Sequence, residues 1–307
     1  MTKKASLSRA RSYLSTEARP LEWALFRYHL EDGPEHAVIE ELGRFQNADG
    51  GFGRALEPDV RMPGSSALAT AIALRHLVGL DGPGKEDLVP AGIDYLLGSL
   101  DQTAMTWRVV PPAANDDAHA PWWHDEDGSL ARRFGDFCII PRALIAGVFH
   151  RLDTRVPTDM LQRLTAAVIG AVEDLDVLGT GGGSDLEYVA FLAQSPGLSR
   201  TSRAVLAERV EAAVRQRVVR DPTAWSEYCL TPLRAVPAPT SLGVDIIRDA
   251  LEAHLDWTVD HQAVDGAWEP TWSWGDDYPD VWPVAEREWR GILTLSALRS
   301  LRAFGRL

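Results

Sequence analysis

The chain has 307 residues, of which 45% are hydrophobic, so it can bury one large core and is longer than an ordinary single domain. Its 44 acidic residues outnumber its 31 basic residues and give a net charge of -13, which disfavours nucleic acid and anionic membranes as partners. The two cysteines, Cys138 and Cys229, are too few for a secreted disulfide scaffold, so we expect a cytoplasmic location. No apolar run approaches membrane-spanning length, so we expect no transmembrane segment.

Hydrophobic periodicity predicts helices along most of the chain. The predicted spans, in chain order, are 21–30, 35–45, 66–80, 86–100, 139–152, 158–175, 184–192, 202–219, 243–259, 284–291 and 293–304. Alternating patterns typical of paired strands are scarce, so the sequence predicts an all-α chain with loops rich in Gly, Pro and Trp. No polar linker longer than a loop interrupts it, and we therefore expect a single domain over residues 1–307.

A short motif follows two of these predicted helices. The segments 46–52 and 262–268 both read Gln-x-x-Asp-Gly-small-aromatic, ending in Phe52 and Trp268. Weaker echoes occupy 102–107 and 216–225. The spacing of the four segments is typical of an array of helical hairpins, and about six such units would fill the chain.

The residue types in this motif favour a structural role. Glycine adopts the positive φ that ends a helix, and Asp and Gln side chains bond to nearby backbone groups. The aromatic side chain then packs back over the end of the helix. We therefore predict that the motif holds helix ends in place, which makes its residues poor candidates for catalysis.

The repeats of Gln46–Phe52 and Gln262–Trp268 resemble those of the α/α-toroid superfamily, which includes squalene and hopene cyclases and the β subunits of protein prenyltransferases. The resemblance implies an all-α fold of the α/α-toroid type, a barrel of about six helical hairpins. It also implies a terpenoid cyclase-like or prenyltransferase-like enzyme that acts on an isoprenoid-type substrate, although one fold hosts many chemistries.

Comparison with three known motifs bears on cofactors. The Asp-x-Asp-Asp motif of class II cyclases is missing. The segment 136–138 matches the short Asp-x-Cys element of the zinc-binding prenyltransferases, but we favour a buried structural role for Cys138. The segment 276–280 spells the D-D-x-x-D of class I terpene synthases, yet Gly275 and Pro279 predict a loop there. The cofactor is therefore unknown, and neither Mg²⁺ nor Zn²⁺ has a strong motif.

Acidic residues recur beside aromatic residues where a loop leads into the next helix. In a ring of hairpins, equivalent loops converge at one end, so we expect these residues to line one pocket. The candidate catalytic residues, as proton donors, are Asp136, Glu187, Glu227, Glu57, Asp59 and Glu288.

Two long loops, over 115–128 and 268–289, carry most of the chain's 11 tryptophans. Loops with this much aromatic area usually cover a pocket. The candidate substrate-binding residues are Trp122, Trp123, His124, Tyr188, Tyr228, Trp272, Trp274 and Trp289. His119 and His124 could bind a metal with Asp125, but plain hydrogen bonding is the preferred interpretation.

Two chemistries fit an acidic, aromatic pocket whose partner is a small molecule, apolar or sugar-like. In the first, a carboxylic acid protonates the substrate and ring faces stabilise the resulting carbocation. In the second, tryptophans stack on sugar rings and two carboxylates hydrolyse or eliminate the glycosidic bond. A non-catalytic binding domain is the third hypothesis, and an exposed apolar groove would mark it.

Overall fold

The computed structural model describes residues 4–130, 139–152, 155–173, 178–179 and 181–307. Within them the chain forms twelve α-helices and no strand, which confirms the all-α prediction, and none of these helices is long and apolar enough to cross a membrane. The helices are α1 (Leu7–Thr16), α2 (Pro20–Leu30), α3 (Glu35–Gly43), α4 (Ala67–Leu77), α5 (Lys85–Ser99), α6 (Ile139–Leu152), α7 (Thr158–Ala171), α8 (Ser184–Ala193), α9 (Arg200–Arg217), α10 (Pro232–Ala235), α11 (Arg248–Asp260) and α12 (Trp282–Ala303).

The chain divides into two compact units. Unit 1 comprises Met1–Glu41, Gly179–Gly183 and Glu211–Leu307, and unit 2 comprises Leu42–Leu178 and Ser184–Val210. Each unit contains one of the two good copies of the Gln motif.

Unit 2 is built around α6, which packs against α4, α7 and α8. Consecutive side chains from Ala143 to Ala146 are fully buried, as is Phe149, so the middle of α6 is apolar on every side, as expected for a central helix. A Cβ atom at Gly147 would lie 2.6 Å from the ring of Phe191 on α8. The glycine therefore allows the two helices to approach closely.

Unit 1 holds the N-terminal and C-terminal helices together. α2 packs against α12, and α1 packs against both. Glu22 on α2 is 2% exposed and accepts two hydrogen bonds from Arg19, at 2.7 and 2.8 Å. This pairing offsets the cost of burying the carboxylate. At the chain ends, the backbone N–H of Ala5 donates to the carbonyl oxygen of Arg306 at 3.1 Å.

Three helix predictions need correction. The sequence predicted a break after Gly291, but α12 is one continuous helix; a Cβ at Gly291 would lie 3.0 Å from that of Ala18, so the glycine lets the connection between α1 and α2 approach α12 closely. The predicted helix 243–259 begins instead with a 3-10 turn, Val244–Ile247, before α11. Helix α1 was not predicted, although Ser6 caps it and Tyr13 is buried.

The first Gln motif joins three parts of unit 2. Gln46 Nε2 donates to the carbonyl oxygens of Gly50 at 2.9 Å and Leu88 at 3.0 Å. The backbone N–H of Phe52 donates to Thr70 Oγ1 on α4 at 2.9 Å. Gly50 has a φ of 84°, which a residue with a side chain adopts only with strain. The motif thus fixes the end of α3 against α4 and α5.

The second copy makes the corresponding bonds in unit 1. Gln262 Nε2 donates to the carbonyl oxygens of Gly266 and Ser6, both at 3.0 Å. The backbone N–H of Trp268 donates to Thr294 Oγ1 on α12 at 3.0 Å. Gly266 has a φ of 99°. The structural role predicted for the motif is therefore confirmed in both copies.

The echo at 102–107 keeps part of this geometry. Met105 has a φ of 50° and stands two positions before Trp107, as the glycines stand two positions before the aromatic residue in the good copies. Trp107 Nε1 donates to Leu96 O at 2.7 Å, and Trp268 Nε1 donates to Thr258 O at 2.8 Å. In both cases the indole N–H donates to a backbone carbonyl oxygen of the helix that precedes the motif.

Candidate functional site

Two of the predicted site loops meet in unit 2. Val60 and His119 form an isolated antiparallel bridge, and the backbone N–H of Ala120 donates to the carbonyl oxygen of Asp59 at 2.9 Å. The loop that carries Glu57 and Asp59 is thereby held against the loop that carries Trp122 and Trp123. We call these joined loops the unit 2 site.

Burial differs sharply among the residues of the unit 2 site. Asp59 is 3% exposed and Trp123 is 8% exposed. Glu57 and Trp122 are half-buried, and His124 is exposed. Among these predicted residues, the carboxylate of Asp59 is therefore the one shielded from water, while Trp122 and His124 are accessible from outside.

Side chain to backbone hydrogen bonds hold the second loop of the unit 2 site in place. Asn115 Nδ2 donates to Asp125 O at 2.8 Å, and Asp125 N donates back to Asn115 Oδ1 at 3.0 Å. The carboxylate of Asp125 accepts from Leu130 N at 3.0 Å. Asp125 is thus engaged in holding the loop, and the residue before it, His124, has a fixed backbone.

The two histidines of this loop bond to each other. His119 Nε2 lies 2.9 Å from His124 Nδ1, and His119 Nδ1 lies 2.6 Å from the carbonyl oxygen of Asp117. Within the described residues, no three His, Cys, Asp or Glu side chains are grouped so that they could hold a metal ion. The hydrogen-bonding interpretation of these histidines is the one that the geometry supports.

A second predicted acid in unit 2 is paired with an arginine. Glu187 Oε1 on α8 lies 2.7 Å from Arg75 Nη2 on α4, and the Arg75 guanidinium lies 5.7 Å from the ring centroid of Tyr188. Burial acts to lower the pKa of Arg75, but the charges of Glu187 and Tyr188 outweigh it and raise that pKa. An ion pair favours the ionised carboxylate, so Glu187 fits an anchoring role better than proton donation.

In unit 1, three predicted aromatic residues form one cluster. The ring centroids of Tyr228 and Trp272 are 5.8 Å apart, and those of Trp272 and Trp289 are 5.1 Å apart, both pairs edge to face. Tyr228 is 52% exposed. The Trp272 Nε1 atom is buried and has no hydrogen-bond partner among the described residues. We call these three residues the unit 1 cluster.

The other predicted residues of unit 1 lie in different settings. Glu288 Oε2 is 3.9 Å from Arg19 Nη1, with 13% of its side chain exposed, and Glu227 is exposed in a turn. Trp274 is 1% exposed and packs with its centroid 5.6 Å from that of Trp282, so it fills the interior and does not line an open surface. The segment 276–280 lies in turns before α12, as predicted.

One predicted proton donor, Asp136, lies outside the described residues, as do its neighbours Phe137 and Cys138. A small concavity of about 160 Å³ in unit 1 contains none of the predicted site residues. It is smaller than a typical ligand pocket of about 300 to 1,000 Å³. Its lining residues are Pro20, Trp23, Ala24, Arg27, Pro34, Ala37, Glu40 and Glu41.

Three charged residues that organise these regions were not predicted from the sequence. Arg19 and Glu22 stand three positions apart beside a helix-starting proline, and this spacing was a usable signal. Arg75 has no local signal, because its partner Glu187 is far away in the sequence. Long-range ion pairs of this kind become visible only in the folded chain.

No protein-family model and no curated protein matches this chain. The geometry of its own residues is therefore what bears on its function. The described part of the chain is a helical protein with a buried acid and a half-buried tryptophan at the unit 2 site, and an aromatic cluster in unit 1.

Proposed function

We propose that this chain is a terpenoid cyclase-like or prenyltransferase-like enzyme, an α/α toroid that acts on an isoprenoid-type substrate. The observation that carries the proposal is the unit 2 site, where the buried Asp59 is held beside the loop of Trp122 and Trp123. The motif resemblance supports the same class. The low cysteine count favours a cytoplasmic location.

Asp59 is the proton donor in this proposal. Acid-initiated cyclisation needs a carboxylic acid that is shielded from water and close to a double bond. The proton of Asp59 passes to one alkene carbon, and the other carbon becomes a carbocation. Trp122, which is half-buried, presents a ring whose negative face attracts that positive charge.

A thermal-shift screen tests the substrate class. The panel contains squalene-like polyenes, prenyl diphosphates and oligosaccharides, each with and without Mg²⁺ or Zn²⁺. A ligand at 100 times its dissociation constant stabilises the fold by about 2.7 kcal/mol. We expect stabilisation by a polyene or a prenyl diphosphate; a response to oligosaccharides alone contradicts the proposal.

The proton donor is tested with Asp59→Asn, which keeps the shape of the side chain and removes the acid. We expect product formation from the stabilising ligand to fall by at least about 100-fold. Asp87→Asn is the matched control, because Asp87 is an exposed aspartate on α5, outside the two loops of the unit 2 site, and it should keep full activity. A folded Asp59→Asn variant with unchanged turnover overturns this assignment.

A carbohydrate-active hydrolase or lyase is the second candidate, and the unit 1 cluster favours it. The buried indole N–H of Trp272 has no acceptor among the described residues, and a sugar hydroxyl could provide one while the neighbouring rings stack on the sugar. Trp272→Phe keeps the ring and removes the donor, so it should weaken an oligosaccharide response and leave a polyene response unchanged. If no compound stabilises the fold, that result favours the non-catalytic binding domain.

A further inference from the structure

The rings of His119 and His124 are arranged end to end. Their planes differ by only 9° while their centroids are 5.2 Å apart, and the facing nitrogens are 2.9 Å apart. Face-to-face stacking brings centroids closer, as for Trp257 and His261 at 3.8 Å. The two imidazoles of unit 2 therefore share one plane, which is the geometry of a straight N–H···N hydrogen bond.

The position of each proton follows from the partners. A carbonyl oxygen only accepts, so the His119 Nδ1 that lies 2.6 Å from Asp117 O must carry a proton. His119 is 3% exposed, and a buried imidazolium is costly, so its Nε2 is an acceptor. His124 Nδ1 must then donate to that nitrogen. The remaining nitrogen, His124 Nε2, is left unprotonated on an exposed side chain.

We propose that His124 Nε2 is the general base of the unit 2 site and that His119 is the positioning residue that fixes its tautomer. The substrate on which this base acts rests on the proposed function. In general, when one ring nitrogen of a histidine donates a hydrogen bond to a fixed acceptor, the other nitrogen is unprotonated and can take a proton from a substrate. Here the acceptor chain is His119 followed by the carbonyl oxygen of Asp117.

This base complements the acid assigned above. When the carbocation ends the reaction, a C–H bond next to it breaks and its electron pair forms the new C=C bond. The proton goes to His124 Nε2, and the positive charge on the ring strengthens its bond to His119. Asp59 has by then given one proton to the substrate, so the substrate gains and loses one proton. Because His124 is exposed, it releases this proton to solvent, and Asp59 must take up one proton before the next turnover.

The tautomer is measured without any substrate, by ¹⁵N NMR of the full chain labelled in its eight histidines. We expect both His119 and His124 as Nδ1–H tautomers, with a scalar coupling across the N–H···N bond. Exposed His36 is the matched control and should show the Nε2–H form that neutral histidine prefers in water. His119→Phe should return His124 to that form. An Nε2–H tautomer at His124 in the unsubstituted chain overturns the inference.

The catalytic role is measured separately, with the ligand that the thermal-shift screen identifies. His124→Gln should lower kcat by at least about 100-fold and leave the ligand-induced shift in Tm unchanged. His119→Gln should lower kcat less, because His124 then finds the correct tautomer only part of the time. Full activity of His124→Gln overturns the base. Loss of activity in Asp59→Asn together with full activity in His124→Gln leaves the proposed function intact, so the two failures are distinguishable.

Discussion

The two copies of the Gln motif form matching bonds in different units but connect different distances along the chain. Gln46 joins the end of α3 to Leu88, in the next hairpin of unit 2. Gln262 joins the end of α11 to Ser6, the N-cap residue of α1, across 256 positions. One local geometry therefore serves either as a link between neighbouring hairpins or as the bond that holds the chain ends of unit 1 together.

The largest expected effect comes from Gly→Ala changes in the two copies. A Cβ at Gly266 would lie 2.3 Å from the backbone carbon of Arg9, and a Cβ at Gly50 would lie 2.5 Å from Ala91 O. Both changes add positive-φ strain to a backbone clash, so we expect each to lower the free energy of unfolding by about 4 kcal/mol. Urea unfolding measures the loss, and hydrogen exchange should place it in α1 for Gly266→Ala and in α5 for Gly50→Ala.

Gly98→Ala is the control for this pair, since a Cβ at Gly98 meets nothing within 4 Å. Alanine there should stabilise α5 by about 0.5 to 1 kcal/mol. If hydrogen exchange located the loss in the same helix for the Gly266 and Gly50 variants, it would contradict the conclusion that the two copies of the motif bind different helices.

Acid should destabilise the region around the second Gln motif, in unit 1, by somewhat less than the glycine changes do. Burial first, and the charge of His261 second, lower the pKa of His254 on α11 to about 3. The folded state therefore holds this histidine neutral, while the unfolded chain protonates it near pH 6.5. The free energy of unfolding is therefore unaffected by His254 above pH 6.5. It declines as the pH falls below this value, by about 3 kcal/mol at pH 4.

Hydrogen exchange at pH 7 and pH 4 measures this decline in α11, which Trp268 of the unit 1 copy bonds through Thr258 O. His254→Phe keeps an aromatic ring beside Trp225, whose centroid is 4.6 Å away, and should flatten the pH dependence. The idea is wrong if that variant and the unsubstituted chain lose the same stability in acid.

The smallest effects are expected from the glutamines themselves. Gln262→Ala removes two donated bonds and two bonds that its Oε1 accepts, from Ser6 N at 2.8 Å and from Arg9 Nη2 at 3.3 Å, so we expect a loss of about 2 kcal/mol. Gln46→Ala removes two bonds and should cost somewhat less. Exposed Gln102, in the weak echo, is the control, and its replacement by alanine should change the stability by under about 0.5 kcal/mol. Thermal unfolding ranks the three variants.

Much of the fold was predictable because helix periodicity and capping are local. The sequence offers Ser65 and Ser66 as N-cap candidates for α4, and the structure uses Ser66, which accepts a hydrogen bond from Ala69 N. The continuity of α12 was not, because Gly291 is tolerated through its contact with Ala18, from the other end of the chain. A glycine in a helical pattern reads as a break until its packing partner is known.

The candidate site was predictable in composition but not in arrangement. Asp59 and Trp122 were selected from residue type and loop position, and the Val60–His119 bridge that joins their loops has no signature in the sequence. The role of Trp274 as an interior residue depends on Trp282 and on the turn between them. Side-chain direction in irregular loops is set by such long-range contacts, which residue type alone does not encode.

The meeting of the chain ends has a consequence for engineering. Lys4 Nζ donates to the carbonyl oxygen of Leu307 at 2.6 Å, beside the bond between Ala5 and Arg306. A short linker could therefore close the backbone into a cycle, and new ends could be opened at an exposed turn elsewhere. For the same reason, the segment 5–306 could be inserted into a surface loop of a host protein without spreading that loop apart.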